Sequence, residues 1–152
     1  MEIISFFDSS IREHLLAEIA KCDWRAGRYL HDMLINGTFR EKLGEDSELL
    51  LLTDGGRLVS FCTFAQRDEI PSDTLTPWIG FVYTFPEYRG RRCFGLLLER
   101  IAGTARERGI SRVYISTDHT GLYEKYGFEY LGDMRSIYGD MARVYALDVK
   151  KL

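Results

Sequence analysis

Arg89, Gly90, Arg91, Arg92, Cys93, Phe94 and Gly95 form the densest group of chemistry-capable residues in the chain. They follow an apolar run ending near Phe85 and precede a helix-periodic stretch that reaches Arg108. A strand therefore delivers the chain to a helix N-terminus, where unpaired backbone N–H groups and the positive dipole end converge. A phosphate or pyrophosphate binds naturally at such a place. Gly90 and Gly95 lack a Cβ and let backbone approach a ligand, while Arg89, Arg91 and Arg92 supply charge. Between positions 86 and 112 seven arginines stand against Glu87, Glu99 and Glu107, a local +4 in a chain of formal charge −3.

Two nucleotide motifs are excluded here. Gly90 and Gly95 have the glycine spacing of a Walker A loop, but Leu96 and Leu97 occupy its Lys and Ser/Thr positions. No G-x-G occurs anywhere, so the dinucleotide fingerprint is missing as well. A thiol beside a helix N-terminus is acidified, which makes Cys93 a candidate nucleophile. No histidine has a motif-supported pairing with it, and that argues against the role. His14, His31 and His119 are scattered, and Cys22, Cys62 and Cys93 contain no C-x-x-C pair, so no metal site is expected.

The elements around this group belong to one domain of 152 residues, with 45% hydrophobic and 28% charged residues. The acidic balance argues against a dedicated nucleic-acid or membrane-surface protein. No apolar run reaches the ~18–20 residues of a membrane span. The N-terminus lacks the basic and apolar regions of a secretory signal, and the unpaired cysteines suit a reducing compartment, so a cytoplasmic location is expected.

Periodicity predicts a strand at 2–7, then a helix in which Ser10 and Glu13 form a capping box and Ile11, Leu15 and Ile19 share a face. A helix over Arg25–Asn36 stops at Gly37, and one further helical turn lies between Thr38 and Gly44. Strands at 48–53 and 58–66 flank Asp54-Gly55-Gly56, a hairpin signal. The polar stretch 67–76 is a loop, and 77–85 is a third long strand. After the arginine cluster a helix buries Phe94, Leu97, Leu98, Ile101, Ala102 and Ala105 and ends at Gly109. Arg112–Thr117 is a strand, 121–126 a short helix, and 128–131 and 142–149 complete the sheet. The result is a mixed α/β (α+β) domain with a central mixed sheet flanked by helices.

Two stretches resemble the GNAT superfamily of acyl-CoA-dependent N-acyltransferases. Thr84-Phe-Pro-Glu-Tyr-Arg-Gly-Arg-Arg-Cys-Phe-Gly-Leu-Leu-Leu-Glu99 is similar to the family's strand-to-helix pyrophosphate loop, Q/R-x-x-G-x-G/A. Gly121-Leu-Tyr-Glu-Lys-Tyr-Gly-Phe128 is similar to its later L-Y-E-K-x-G-F segment. The resemblance covers 77 to about 131. An ungapped match from Arg89 puts Arg92 on the first motif glycine and Phe94 on the second small position, with Gly95 one residue later.

The resemblance implies acetyl-CoA as acyl donor, lying between two splayed parallel strands, here 77–85 and Arg112–Thr117. It implies that backbone N–H groups freed by a bulge at Val82, Tyr83 and Thr84 hold the pantetheine and polarise the thioester, with residues 89–95 on the pyrophosphate. Tyr123 aligns with the family's general acid, and Tyr126 is assigned to packing. The family's base is often a carboxylate on the central strand, and 77–85 contains none. His119 or Asp118, after the next strand, is one alternative; histidine ordinarily titrates near ~6.5. Glu69 and Asp73 are others. The acceptor is an amine, on a small molecule or peptide, lined by Trp24, Tyr29 and His31 or by residues 67–78 with Asp68, Glu69 and Asp73. A homodimer is compatible with these readings. The rival readings are an acyl-CoA-binding sensor module without catalysis and a nucleotide-phosphate binder.

Overall fold

The Gly55-Gly56 pair, with φ of 58° and 85°, closes the two-residue hairpin joining β2 (Glu48–Asp54) to β3 (Arg57–Ala65). Positive φ at both turn residues matches the right-handed twist of the flanking strands. In this computed structural model, which describes residues 1–152, the hairpin sits near the middle of a seven-stranded sheet. The other strands are β1 (Glu2–Ser5), β4 (Trp78–Thr84), β5 (Arg112–Thr117), β6 (Glu129–Arg135) and β7 (Met141–Asp148). Their order is β1-β2-β3-β4-β5-β7-β6.

Every neighbouring pair is antiparallel except β4 and β5. That parallel pair shares only Trp78↔Tyr114 and Ile79↔Ile115 before the strands part. The sheet therefore opens a wedge at the C-terminal ends of β4 and β5.

Four helices cover the sheet: α1 (Arg12–Ile19), α2 (Arg25–Asn36), α3 (Phe39–Leu43) and α4 (Cys93–Glu107). The stripe expected on α4 is buried in full and packs with Leu50, Cys62, Ile79, Val113 and Leu147 on one face of the sheet. On the other face α1, α2 and α3 pack over Leu49, Leu51, Phe61 and Tyr83. A third cluster, centred on Trp78, Tyr114 and Val144, lies beside the second. The alternation of faces along β2 follows directly from the two-residue strand period.

Several sequence-based expectations are corrected at the ends of elements. The first strand stops at Ser5, and Phe6–Asp8 form a 3-10 turn that buries Phe6. The Ser10 capping box does not form: the N-cap is Ile11, and its N–H donates to the Ser9 hydroxyl at 3.1 Å. With the helix starting one residue later, Ile11 is exposed and only Leu15 and Ile19 enter the core. The 121–126 helix is a 3-10 turn, Tyr123–Tyr126, closed by Gly127 at φ 96°. β6 extends to Arg135 because the β7 ladder continues through Arg135↔Met141, beyond the apolar residues that marked it in sequence. No helix is long and apolar enough to cross a membrane.

Candidate functional site

β4 does not run straight into the wedge. Between the pairs Phe61↔Tyr83 and Thr63↔Gly80, Phe81 and Val82 stand opposite Cys62 alone, which is a β-bulge. Phe81 has φ 49°, a left-handed conformation that costs a non-glycine residue on the order of 1–3 kcal/mol. The strain is held by packing: Phe81 lies against the cluster beneath α2, with Tyr29 at 6.3 Å between ring centroids. The bulge takes backbone of Phe81 and Val82 out of the regular β3 ladder at the point where β4 has also lost β5.

Beyond the bulge the chain turns through Pro86–Tyr88 and enters α4. Gly90 has φ 82°, and Arg92, the N-cap, has φ 54°. No side chain caps the helix, and its first turn carries no acidic residue. Its leading N–H groups and positive dipole are thus open to an anion. Arg89 is oriented by an Nε–H bond to the Thr84 carbonyl at 2.9 Å and stacks over Tyr83. Arg92 lies over the Tyr126 ring at 4.7 Å.

These elements enclose a cavity of about 530 Å³. Val82, Tyr83, Thr84, Arg89, Gly90, Arg92, Cys93 and Phe94 line it, and so do Tyr123 and His119. Arg91 and Gly95 are absent from its walls. Arg91 instead stacks on Tyr88 at 5.7 Å, and Gly95 gives room to Tyr126, whose ring would be 3.4 Å from a Cβ there. The cavity also recruits Asp23, Trp24, Tyr88, Leu122 and Tyr126. Trp24 reaches it as the N-cap of α2, stacked on Tyr83 at 5.4 Å. Tyr88 lies within the family-like stretch without having been assigned a role, and Trp24, expected on the acceptor side, lines this cavity. Tyr126, assigned to packing from sequence, both packs on Phe94 and lines the wall.

Two arginines farther along the basic segment serve the fold. Arg106 donates to the Val149 carbonyl at 2.7 Å, and Arg108 approaches Glu48 at 3.6 Å.

Tyr123 is buried at 5% exposure among Phe94, Phe128 and Tyr145. Burial pushes its phenol well above the usual range, helped by nearby Cys62 and Tyr126, so it holds its proton. The segment that carries it is pinned by Glu124, whose carboxylate accepts from the Gly121 amide and the Tyr145 hydroxyl, both at 3.2 Å. His119 is exposed on the same segment. Burial also pushes the Cys62 thiol up, and the Cys93 Sγ donates to the Tyr88 carbonyl at 3.7 Å. No group of three or more His, Cys, Asp or Glu is placed to hold a metal.

The candidates for the acceptor side separate. His31 lines a shallow depression with Ile19, Gly27 and Asp32, away from the main cavity. Asp73 is exposed at the tip of the 66–76 loop. Glu69 instead crosses to β5 and accepts from the Ser116 hydroxyl at 2.6 Å.

Comparison with known proteins agrees with this architecture. A family model described as an acetyltransferase (GNAT) domain matches residues 32–131. The aminoglycoside 6'-N-acetyltransferase of Enterococcus faecium superposes with a TM-score of 0.70 at 14% identity, over 98% of this chain and 97% of that one. An aminoglycoside 6'-N-acetyltransferase complexed with coenzyme A gives 0.69 at 14% identity, over 98% and 97% of the two chains. An acetyltransferase from Streptococcus agalactiae gives 0.67 at 19% identity, over 97% of each chain. At these identities the likeness is one of fold. No curated protein matches the sequence. With the family model covering most of the chain and the sheet order, wedge and bulge in place, this protein belongs to the GNAT acetyltransferase family.

Proposed function

We propose that this protein is an N-acetyltransferase that passes the acetyl group of acetyl-CoA to a primary amine by direct attack, without an acyl-enzyme. The observation that carries the reading is the meeting of three features at one cavity: the β4–β5 wedge, the β4 bulge and an uncapped α4 N-terminus. The residues present suit such a donor. The α4 N-terminus with Arg89, Gly90 and Arg92 matches a pyrophosphate, and the aromatic walls from Tyr88, Phe94 and Tyr126 match its less polar arm. Cys93 lines the wall at the start of α4, while Arg91 and Gly95 pack beside the loop on Tyr88 and Tyr126.

When bound, acetyl-CoA supplies an activated thioester carbonyl. The bulge falls at Phe81 and Val82, one residue earlier than expected, while Tyr83 and Thr84 stay in register with Phe61 and Ser60 and line the wall. The backbone N–H groups that the bulge takes out of the β3 register stabilise negative charge on the thioester carbonyl oxygen. Such donors are typically worth ~2.7–4 kcal/mol each. Tyr123, kept protonated by burial, gives its proton to the departing sulfur. His119, exposed at the rim of the cavity, relays the released proton onward to solvent.

The test combines thermal shift with acetyl-CoA and a thiol-release assay over an amine panel. Stabilisation by acetyl-CoA together with amine-dependent CoA release supports the reading. Stabilisation with no CoA release from any amine would show a binding module instead. Stabilisation by ATP and not by acetyl-CoA would show a nucleotide-phosphate binder. Ligand at ~100 times its Kd adds ~2.7 kcal/mol, well within reach of the method.

A further inference from the structure

Gly80 is the first β4 residue beyond the last β4–β5 pair, Ile79↔Ile115, so its side-chain position overhangs the start of the wedge. Ile79 packs toward α4, and strand alternation turns Gly80 to the opposite face. A methyl group on Gly80 would overlap the carboxyl group of Asp68, which reaches this point from the 66–76 loop. The loop thus delivers a carboxylate to a place on the central strand where the strand's own residue has no side chain.

Two further observations mark the spot as made for a polar ligand. The Thr63 hydroxyl, on the β3 residue paired with Gly80, stands 3.1 Å from where that Cβ would be. Thr63 is fully buried, and its hydroxyl has no hydrogen-bond partner in the protein. A buried orphan of this kind is costly unless something completes it. The loop is also held rigidly across the opening of the wedge. Glu69 accepts from Ser116 of β5 at 2.6 Å, and its carbonyl accepts from the Ile137 amide at 2.8 Å. Thr76 donates to the Gln66 carbonyl at 2.7 Å and closes the loop's neck.

We infer that Asp68 is the general base of the proposed transfer, a catalytic carboxylate supplied by the loop before β4 at the position left open by Gly80. The inference rests on the acetyltransferase reading above. As the amine nitrogen bonds to the thioester carbonyl carbon, Asp68 takes the proton that nitrogen must lose. The C–S bond breaks, and Tyr123 gives its proton to the sulfur. Solvent then carries one proton away from Asp68 and returns one to Tyr123, so charge and protons balance.

The electrostatic setting suits this role. Burial raises the Asp68 carboxyl to about 7, reinforced by the negative charge of Glu69 and opposed by the Glu69 amide. A base near the working pH is the most effective one. Glu69 on the same loop and Tyr138 from the β6–β7 turn are the titratable groups facing Asp68, and behind Tyr138 stand Tyr29 of α2 and Lys42 of α3, which bonds to the Tyr29 hydroxyl. Tyr138 is aromatic, so an amine on an apolar or aromatic body would find a cation-attracting ring beside the carboxylate.

The experiment is a pH profile of kcat/KM, read by CoA release with an amine that the panel identifies. It compares the wild type with Asp68→Asn, Asp68→Glu, Gly80→Ala and His119→Gln. Asp68→Asn is expected to lower kcat by ~10²–10⁴ and to abolish the acidic limb near pH 7, with acetyl-CoA stabilisation unchanged. Asp68→Glu should restore part of the rate and keep a limb, which a purely structural aspartate would not do. Gly80→Ala should mimic Asp68→Asn by displacing the carboxylate. His119→Gln should retain the limb. Asp68→Asn within threefold of wild type, with its acidic limb intact, would overturn the inference, and so would loss of the limb in His119→Gln alone. Absence of CoA release by the wild type with every amine overturns the transferase reading itself, and Asp68 as base falls with it. An independent readout comes from stability. A raised carboxyl favours the folded state least above its folded pKa, so Asp68→Asn should raise Tm relative to wild type more at pH 8 than at pH 5.

Discussion

The cavity at the end of β4 and the corner over Gly80 are two or three residues apart on one strand, and they are built from different materials. Within its aromatic walls, the cavity owes its polar features to backbone: a bulge at Phe81 and Val82, a left-handed Arg92, and helix N–H groups that no side chain caps. The corner over Gly80 is mostly side chains from distant segments: Thr63, Asp68, Glu69 and Ser116, with Tyr29 and Tyr138 nearby. Backbone recognises what is common to a class of ligand, here a pyrophosphate and a thioester. Side chains discriminate among acceptors. A family can therefore keep the first and vary the second, and the contrast predicts separable phenotypes.

The largest expected effect tests the cavity's chemistry. Tyr123→Phe should lower kcat by ~10²–10⁴ with little change in acetyl-CoA affinity, measured by turnover and by thermal shift. A fall under threefold, with chemistry rate-limiting, would remove the phenol from proton transfer. Next, Arg89→Ala combined with Arg92→Ala should raise the Kd for CoA tenfold or more, since hydrogen bonds to charged groups contribute ~1.5–3 kcal/mol each. The loss should shrink as salt is added, and the KM for the amine should stay within about twofold. If amine KM rises as much as the Kd for CoA, the two regions are not separate.

Tyr138→Ala tests the other side. Exposed at the β6–β7 turn, it should raise amine KM by less than about tenfold, in keeping with a cation–π contribution of ~0.5–1 kcal/mol, and leave CoA binding alone. The smallest effect on function belongs to Glu18→Gln, far from both. Burial opposes ionisation of Glu18, yet Lys21 and the Leu58 amide, which donates at 2.9 Å, hold its carboxyl below the usual range. Stability from a depressed carboxyl is present above its unfolded value and lost as pH falls through the folded one. Wild-type Tm should therefore exceed that of Glu18→Gln at pH 7, and the gap should close toward pH 3, with kcat/KM unaltered at neutral pH.

The two regions also differed in how far they could be read from residues alone. The α4 stripe, the Gly37 and Gly109 stops and the Gly55-Gly56 hairpin were visible because each is a local matter of period or permitted φ. The loop proposed for pyrophosphate was visible for the same reason, as a strand, a glycine, arginines and a helix start follow one another within about a dozen residues. Eight of the ten residues expected around the cofactor line the cavity; Arg91, ahead of the helix, stacks on Tyr88 instead, and Gly95, in the first turn of α4, lies against Tyr126. The capping box failed for a comparable reason: the fold starts α1 one residue late, so Ile11 takes the N-cap position and its amide donates to the Ser9 hydroxyl.

The absence of a carboxylate from β4 was plain in the chain, but the replacement was not. Asp68 is twelve residues before Gly80 and on a loop with three acidic residues, none distinguishable by type or spacing. Only the path of that loop across the wedge, pinned by Ser116 on one strand and by the β6–β7 turn, selects Asp68 from Glu69 and Asp73. Sequence alone determined the elements, the strand–arginine–helix order of the proposed loop and the family resemblance, because those depend on neighbours in the chain. Tertiary structure decided the wedge, the strained bulge and the carboxylate over Gly80, because each depends on where separate strands part and what then fills the gap.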